Sequence, residues 1–88
     1  MKIETETAVA RRICSLMHAE RKFNKISQQV LCKELGITQG LLSKIENGKL
    51  KPSVYSWLAF CQLFGLKSDI ALSENQYRKK MSQLKKTK

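Results

Sequence analysis

Gln39, Ser43 and Lys44 fall in the stretch GITQGLLSKIENGK, residues 36–49, and their side chains are suited to hydrogen bonding with flat, polar edges. A glutamine amide donates and accepts side by side, as an adenine edge requires; a lysine ammonium reaches the O6 and N7 of guanine; a serine hydroxyl serves either partner. Gly40 between them has no side chain and lets a backbone approach closely. At about 100° per residue, Leu42 and Ile45 face inward with help from Leu41 or Glu46, while Gln39, Gly40, Ser43, Lys44 and Asn47 stay outside. That outer face has no aliphatic side chain and one charge, Lys44, where a merely solvated face would carry Glu and Lys.

Other reactive chemistry is sparse. Cys14, Cys32 and Cys61 are odd in number and lack CxxC spacing, and His18 is the single histidine, so no zinc set can be completed; neither a metal nor a cofactor is expected. Reduced, buried thiols are the expectation. A nucleophilic Cys14 with His18 four residues on is the alternative, without an evident acidic group to orient the histidine. There is no phosphate loop, no HExxH and no pair of carboxylates in an identifiable cleft, so an enzyme is not expected.

The composition bounds the rest. Eighty-eight residues at 42% hydrophobic content support one core, and 17 Lys and Arg against 7 Asp and Glu give a formal charge of +10, which calls for a polyanionic partner. MKIETETAVARR has no apolar leader, and no window approaches the roughly 18 uninterrupted apolar residues of a membrane span. A soluble, cytoplasmic protein is expected.

The elements that must position Gln39 and Lys44 follow from periodicity and caps. Val9, Ile13, Leu16 and Met17 predict a first helix over about residues 5–22, behind acidic Glu4 and Glu6; KFNK is the connection, with Asn24 turning and Phe23 folding back on the core. Ser27 caps a second helix with Val30, Leu31, Cys32 and Leu35 inside and Gly36 as a left-handed stop; Thr38 caps the third, which Asn47 and Gly48 end. Two short helices about a glycine turn make a helix-turn-helix over about 27–47. Ser53 opens a fourth helix whose Val54, Trp57, Leu58, Cys61 and Phe64 form the far wall of the core; Trp57 is read as core rather than as a stacking platform for bases. After Leu72, Ser73 caps a further helix to about residue 84, with Tyr77, Met81 and Leu84 at helical spacing and six Lys and Arg over 78–88. That end is a helix packing on a partner subunit, an arm gripping phosphate, or a frayed basic tail.

ISQQVLCKELGITQGLLSKIENGKLKPS closely resembles the helix-turn-helix signature of the Cro and phage-repressor type, the XRE family, over roughly residues 9–72. The resemblance rests on Ser27, Gln28, Leu31, Gly36, Ile45, the Glu46–Asn47–Gly48 run, Pro52 and Ser53. It implies an all-α fold: a compact five-helix, lambda-repressor-like helix-turn-helix domain over 1–72, with DIAL in a brief fifth helix, and a C-terminal helical extension over 73–88. It also implies roles by position. Gln39, Gly40, Ser43 and Lys44 would read bases; Gln28, Thr38, Asn47, Gly48 and Lys49 would meet phosphate; Arg21 and Glu46 would form a structural ion pair. Cys32 and Cys61 stand where the family commonly has alanine, Gly40 where a side chain often reads a base, and Leu41 where a polar residue is common; Leu41 is read as core rather than as a thymine-methyl contact.

The function so implied is that of a dimeric, sequence-specific transcriptional regulator, a repressor occupying a palindromic operator in double-stranded DNA. Leu66, Ile70 and Leu72, with Tyr77, Met81 and Leu84, are the dimer candidates. An antitoxin that neutralises a toxin protein through residues 66–84 and represses its own operon is the alternative, and an architectural protein with little sequence preference is a third reading.

Overall fold

The computed structural model describes residues 6–85 as five helices: α1 (Glu6–Phe23), α2 (Gln28–Leu35), α3 (Gln39–Glu46), α4 (Val54–Phe64) and α5 (Glu74–Lys85). No strand occurs among the described residues, so the all-α class holds. Glu4, at the expected start of the first helix, and Lys86 and Lys88 of the basic end lie outside them.

Each short helix around the turn is set by its caps. The Ser27 hydroxyl accepts from the Val30 amide at 3.1 Å, and Thr38 accepts from Leu41 at 3.1 Å, satisfying amides that a helix start leaves orphaned. Gly36 stops α2 at φ 72°, where Ile37 donates back to the Cys32 carbonyl at 3.0 Å and Gly36 to that of Lys33. The same pair of reversed bonds closes α3: at Gly48, φ 74°, Lys49 donates to Lys44 at 2.9 Å and Gly48 to Ile45 at 3.0 Å. A side chain with a β-carbon rarely adopts that left-handed backbone, which is why glycine punctuates both ends.

The helices enclose Leu16, Met17, Leu31, Leu42, Ile45 and Phe60, all fully buried, with Cys14, Cys32, Trp57, Cys61, Ala71 and Leu84 around them. α3 packs on α1 and α2, and α4 packs on the same two helices. Four expectations are corrected. Val54 and Leu58 are exposed, because α4 turns Trp57, Phe60, Cys61 and Phe64 inward at i, i+3, i+4 and i+7; Phe60, absent from the expected stripe, is its most buried member. Val30 is exposed, since α2 is held by Leu31 and Cys32 on one narrow edge. Phe23 ends α1 at the surface instead of folding back on the core, while Asn24 lies in the turn as expected and Lys25 takes its left-handed position, at φ 58°.

The fourth correction is the brief helix expected at DIAL. Residues 68–72 form consecutive turns, in which Ile70 donates to Lys67 and Leu72 to Asp69, both three residues back. Side chains take carbonyls that a helix would use internally. The Trp57 indole donates to Ser68 at 2.9 Å, and Arg12 Nε donates to Ala71 at 2.7 Å. These bonds tie the connection to α4 and α1, and the Arg12 guanidinium also lies 5.9 Å from the centre of the Tyr77 ring.

α5 then lies along α1. Its Leu84 is buried, Tyr77 and Met81 are half-buried against the core, and Lys80 Nζ reaches Glu20 at 3.3 Å.

Candidate nucleic-acid interface

α3 is amphipathic over only eight residues, and its two sides differ in kind. Leu42 and Ile45 are buried and Leu41 half-buried against the core, in keeping with the core reading of Leu41. Gln39, Gly40 and Lys44 are exposed on the opposite side, with Ser43 half-buried between them. Thr38, Asn47, Gly48 and Lys49 are exposed at the two ends of the helix, and Gln28 is half-buried at the start of α2. The nine base- and phosphate-facing candidates therefore lie on the helix-turn-helix unit and its closing loop.

What orients α3 is a polar cluster centred on Glu46. Arg21 donates from Nε to Oε2 at 2.7 Å and from Nη2 to Oε1 at 2.9 Å, and its Nη1 donates to the Ile26 carbonyl at 2.7 Å. One guanidinium thus pins the end of α3 and the entry to α2 against α1, with the two-pronged geometry that only arginine offers a carboxylate. His18 Nδ1 lies 2.9 Å from Oε1, and Gln28 Nε2 donates to the same oxygen at 3.0 Å. Burial pushes the Glu46 carboxyl pKa up, but hydrogen bonds from Arg21, His18 and Gln28, with the charge of Arg21, outweigh it and hold the group below its ordinary value. Glu46 is therefore ionised at neutral pH.

The cluster extends to the exposed face. Gln28 turns its amide oxygen to Gln39, whose Nε2 lies 3.5 Å away, so a line of polar groups runs from the buried pair to the first outward side chain of α3. A glutamine held at both ends loses rotamer freedom before any partner arrives.

Sequence reasoning missed two features. His18 lies three residues before Arg21, on the same face of α1, so once the resemblance implied Arg21 against Glu46, helical spacing put His18 within reach of the same carboxylate. Arg11 and Lys51 stand beside Gly48 and Lys49 around a recess of about 350 Å³ between α1 and the closing loop, a convergence of cations visible only once α1 is folded against it. Cys14 lies in the floor of that recess and donates to the Leu50 carbonyl at 3.6 Å, while His18 is engaged by Glu46; the alternative Cys14–His18 pairing is not formed. Burial raises the pKa of the Cys14 thiol and pushes that of Cys61 up to about 11, which disfavours thiolate chemistry at either.

The six dimer candidates separate. Tyr77, Met81 and Leu84 pack on the chain's own core, Leu66 and Ile70 are half-buried against it, and Leu72 is exposed.

A short helix presenting polar side chains on a scaffold of this shape defines a helix-turn-helix DNA-binding domain. A helix-turn-helix family model matches residues 17–70, more than half of the chain, and the chain belongs to that family, of the Cro and phage-repressor type. Neither the characterised proteins nor the solved structures compared with it yield a match. Family membership makes the chain a DNA-binding transcription regulator. None of its described helices is long and apolar enough to cross a membrane.

Proposed function

We propose that the chain is a sequence-specific regulator acting as a homodimer, most simply a repressor that occupies its operator. α3 enters the major groove, where Gln39, Gly40, Ser43 and Lys44 face base edges. Gln28, Thr38, Asn47, Gly48 and Lys49 meet the flanking phosphates. Two subunits read half-sites about one helical turn apart, the symmetry of the protein being mirrored in a palindromic site. The observation that carries this reading is the exposed, polar outer face of α3, held by the Arg21–Glu46 pair and backed by buried Leu42 and Ile45.

Selection of binding sites from random duplexes tests it. The wild type is expected to yield a palindrome, and Gln39→Ala or Lys44→Ala to lose about 1–3 kcal/mol of preference at one base pair per half-site while non-specific affinity hardly changes. An unchanged motif with uniformly weaker binding would reassign that residue to phosphate.

One observation favours the antitoxin reading. Between α1 and α5 an apolar groove of about 350 Å³, lined by Phe23, Met81 and Leu84, is rimmed by Lys22, Lys25 and Lys85, a setting suited to an acidic protein. Co-expression with the product of a neighbouring gene, followed by purification of a stoichiometric complex that Lys22→Glu and Lys25→Glu abolish, would establish it.

A further inference from the structure

A chain of net charge +10 presents surfaces that repel a second copy. α4 departs from this, because VYSWLAFCQLF contains no charged residue in eleven. Trp57, Phe60 and Cys61 account for its buried side. Around its outer half, in angular order, come Val54, Leu58, Gln62, Tyr55, Ala59 and Leu63, and all six are exposed. Tyr55 is 81% exposed, Val54 60%, Leu58 46% and Leu63 45%. A helix facing only water would place lysine and glutamate at such positions, as α5 does with Glu74, Arg78, Lys79 and Lys85.

We propose that the outer face of α4 is the homodimer interface, and that its occupant is the same face of a second copy of this chain. The proposal rests on the dimeric DNA-binding reading above and supplies the surface that reading needs. An interface about a two-fold axis must be complementary to itself. An uncharged apolar face meets that condition, whereas the groove between α1 and α5, rimmed by Lys22, Lys25 and Lys85, suits an acidic partner instead. The four large side chains expose on the order of 500 Å² of apolar surface, at the upper end of what a monomer leaves bare. Pairing two such faces buries at most roughly 1,000 Å², the low end for a specific though reversible association. Tyr55 adds an aromatic anchor whose hydroxyl can remain wet at the rim. None of Gln39, Ser43 and Lys44 lies on this face, so pairing through α4 leaves them uncovered.

Sedimentation equilibrium of the full chain over a range of concentrations tests the proposal, with Leu58→Lys and Leu58→Glu as variants. Leu58 lies near the middle of α4, close to where a two-fold axis through this face would pass. The wild type is expected to dimerise, and each variant to self-associate at least about tenfold more weakly, because like charges then meet across the axis. Mixing the two variants should restore dimers, which a merely damaged fold would not do. If either melts well below the wild type, Tyr55→Lys at the most exposed position replaces it. Dimers unaffected by these charges, or a wild type that stays monomeric at every concentration both alone and on a mixed-sequence duplex, would overturn the proposal. The DNA-binding reading is scored separately, by salt-dependent affinity for that duplex: its absence in the wild type sinks that reading whatever the oligomeric state.

Discussion

Arg21 grips Glu46 through two hydrogen bonds, of 2.7 and 2.9 Å, that join α1 to the last residue of α3. The Glu46 side chain is 3% exposed and that of Arg21 10%, so neither charge has water to fall back on if its partner is removed. Breaking a buried pair of this kind costs about 3–5 kcal/mol, most of it the penalty of the charge left behind. Arg21→Met and Glu46→Gln should each lower the melting temperature markedly, and the double variant should cost less than the two single effects added together. Melts indistinguishable from wild type would show that the pair contributes nothing net.

The same carboxylate sets an acid dependence. Its pKa in the folded chain lies below the ordinary 4.5, so the folded state binds the proton more weakly than the unfolded state does. The resulting stabilisation is fully present above about pH 4.5 and is lost as pH falls through the folded value. Calorimetry between neutral and acid pH should therefore show a steeper fall in stability for the wild type than for Glu46→Gln. Parallel curves would remove Glu46 from the acid response.

Gln28 and Lys49 both stand among the expected phosphate contacts, but their surroundings separate them. Gln28 lies between Glu46 and Gln39, and Lys49 is exposed on the closing loop. Gln28→Ala should relax base preference at the pair read by Gln39 as well as weaken binding, because Gln39 loses its brace. Lys49→Ala should weaken all sequences alike and reduce the slope of log affinity against log salt by about 0.9. Site selection and salt titration of the two variants decide between these outcomes, and identical behaviour would count against a bracing role for Gln28.

The caps and the glycine stops were legible in the sequence because they are local: Ser27, Thr38, Ser53 and Gly36 act on backbone groups within five residues, and the structure uses each as expected. The Arg21–Glu46 pair was reached through the family resemblance, since no periodicity links residues 25 apart. What escaped depends on contacts between elements. The rotation of α4 is decided by its packing on α1 and α2, which buries Phe60, and period alone leaves several apolar arcs available on a helix as apolar as VYSWLAFCQLF. DIAL has the composition of a helix, but Arg12, 59 residues away, takes its Ala71 carbonyl, and Trp57 takes that of Ser68 just before it. The basic end hid its role for a similar reason: its Tyr77, Met81, Leu84 stripe predicts burial without saying against what.

In the structure that stripe faces α1, and this changes what removing the end of the chain should do. Leu84 is buried in the same core as Leu16 and Met17, and Lys80 brings a charge to Glu20, whose side chain is 7% exposed and also accepts from Asn24 at 2.9 Å. Deleting residues 74–88 would uncover the apolar flank of α1 and leave Glu20 without its lysine. The expected result is a large loss of stability in the subunit itself, with Leu84→Ala alone costing about 2–5 kcal/mol at a site this enclosed. Lys80→Met, which keeps the aliphatic stem and removes the charge, isolates the electrostatic part and should cost less than Leu84→Ala. If α5 were instead an independent dimer helix, the truncated chain would melt like the intact one when both are monomeric and differ from it only in sedimentation. Melting curves of the deletion and of Leu84→Ala at a concentration below dimerisation separate the two, and an unchanged melting temperature in both would detach α5 from the core.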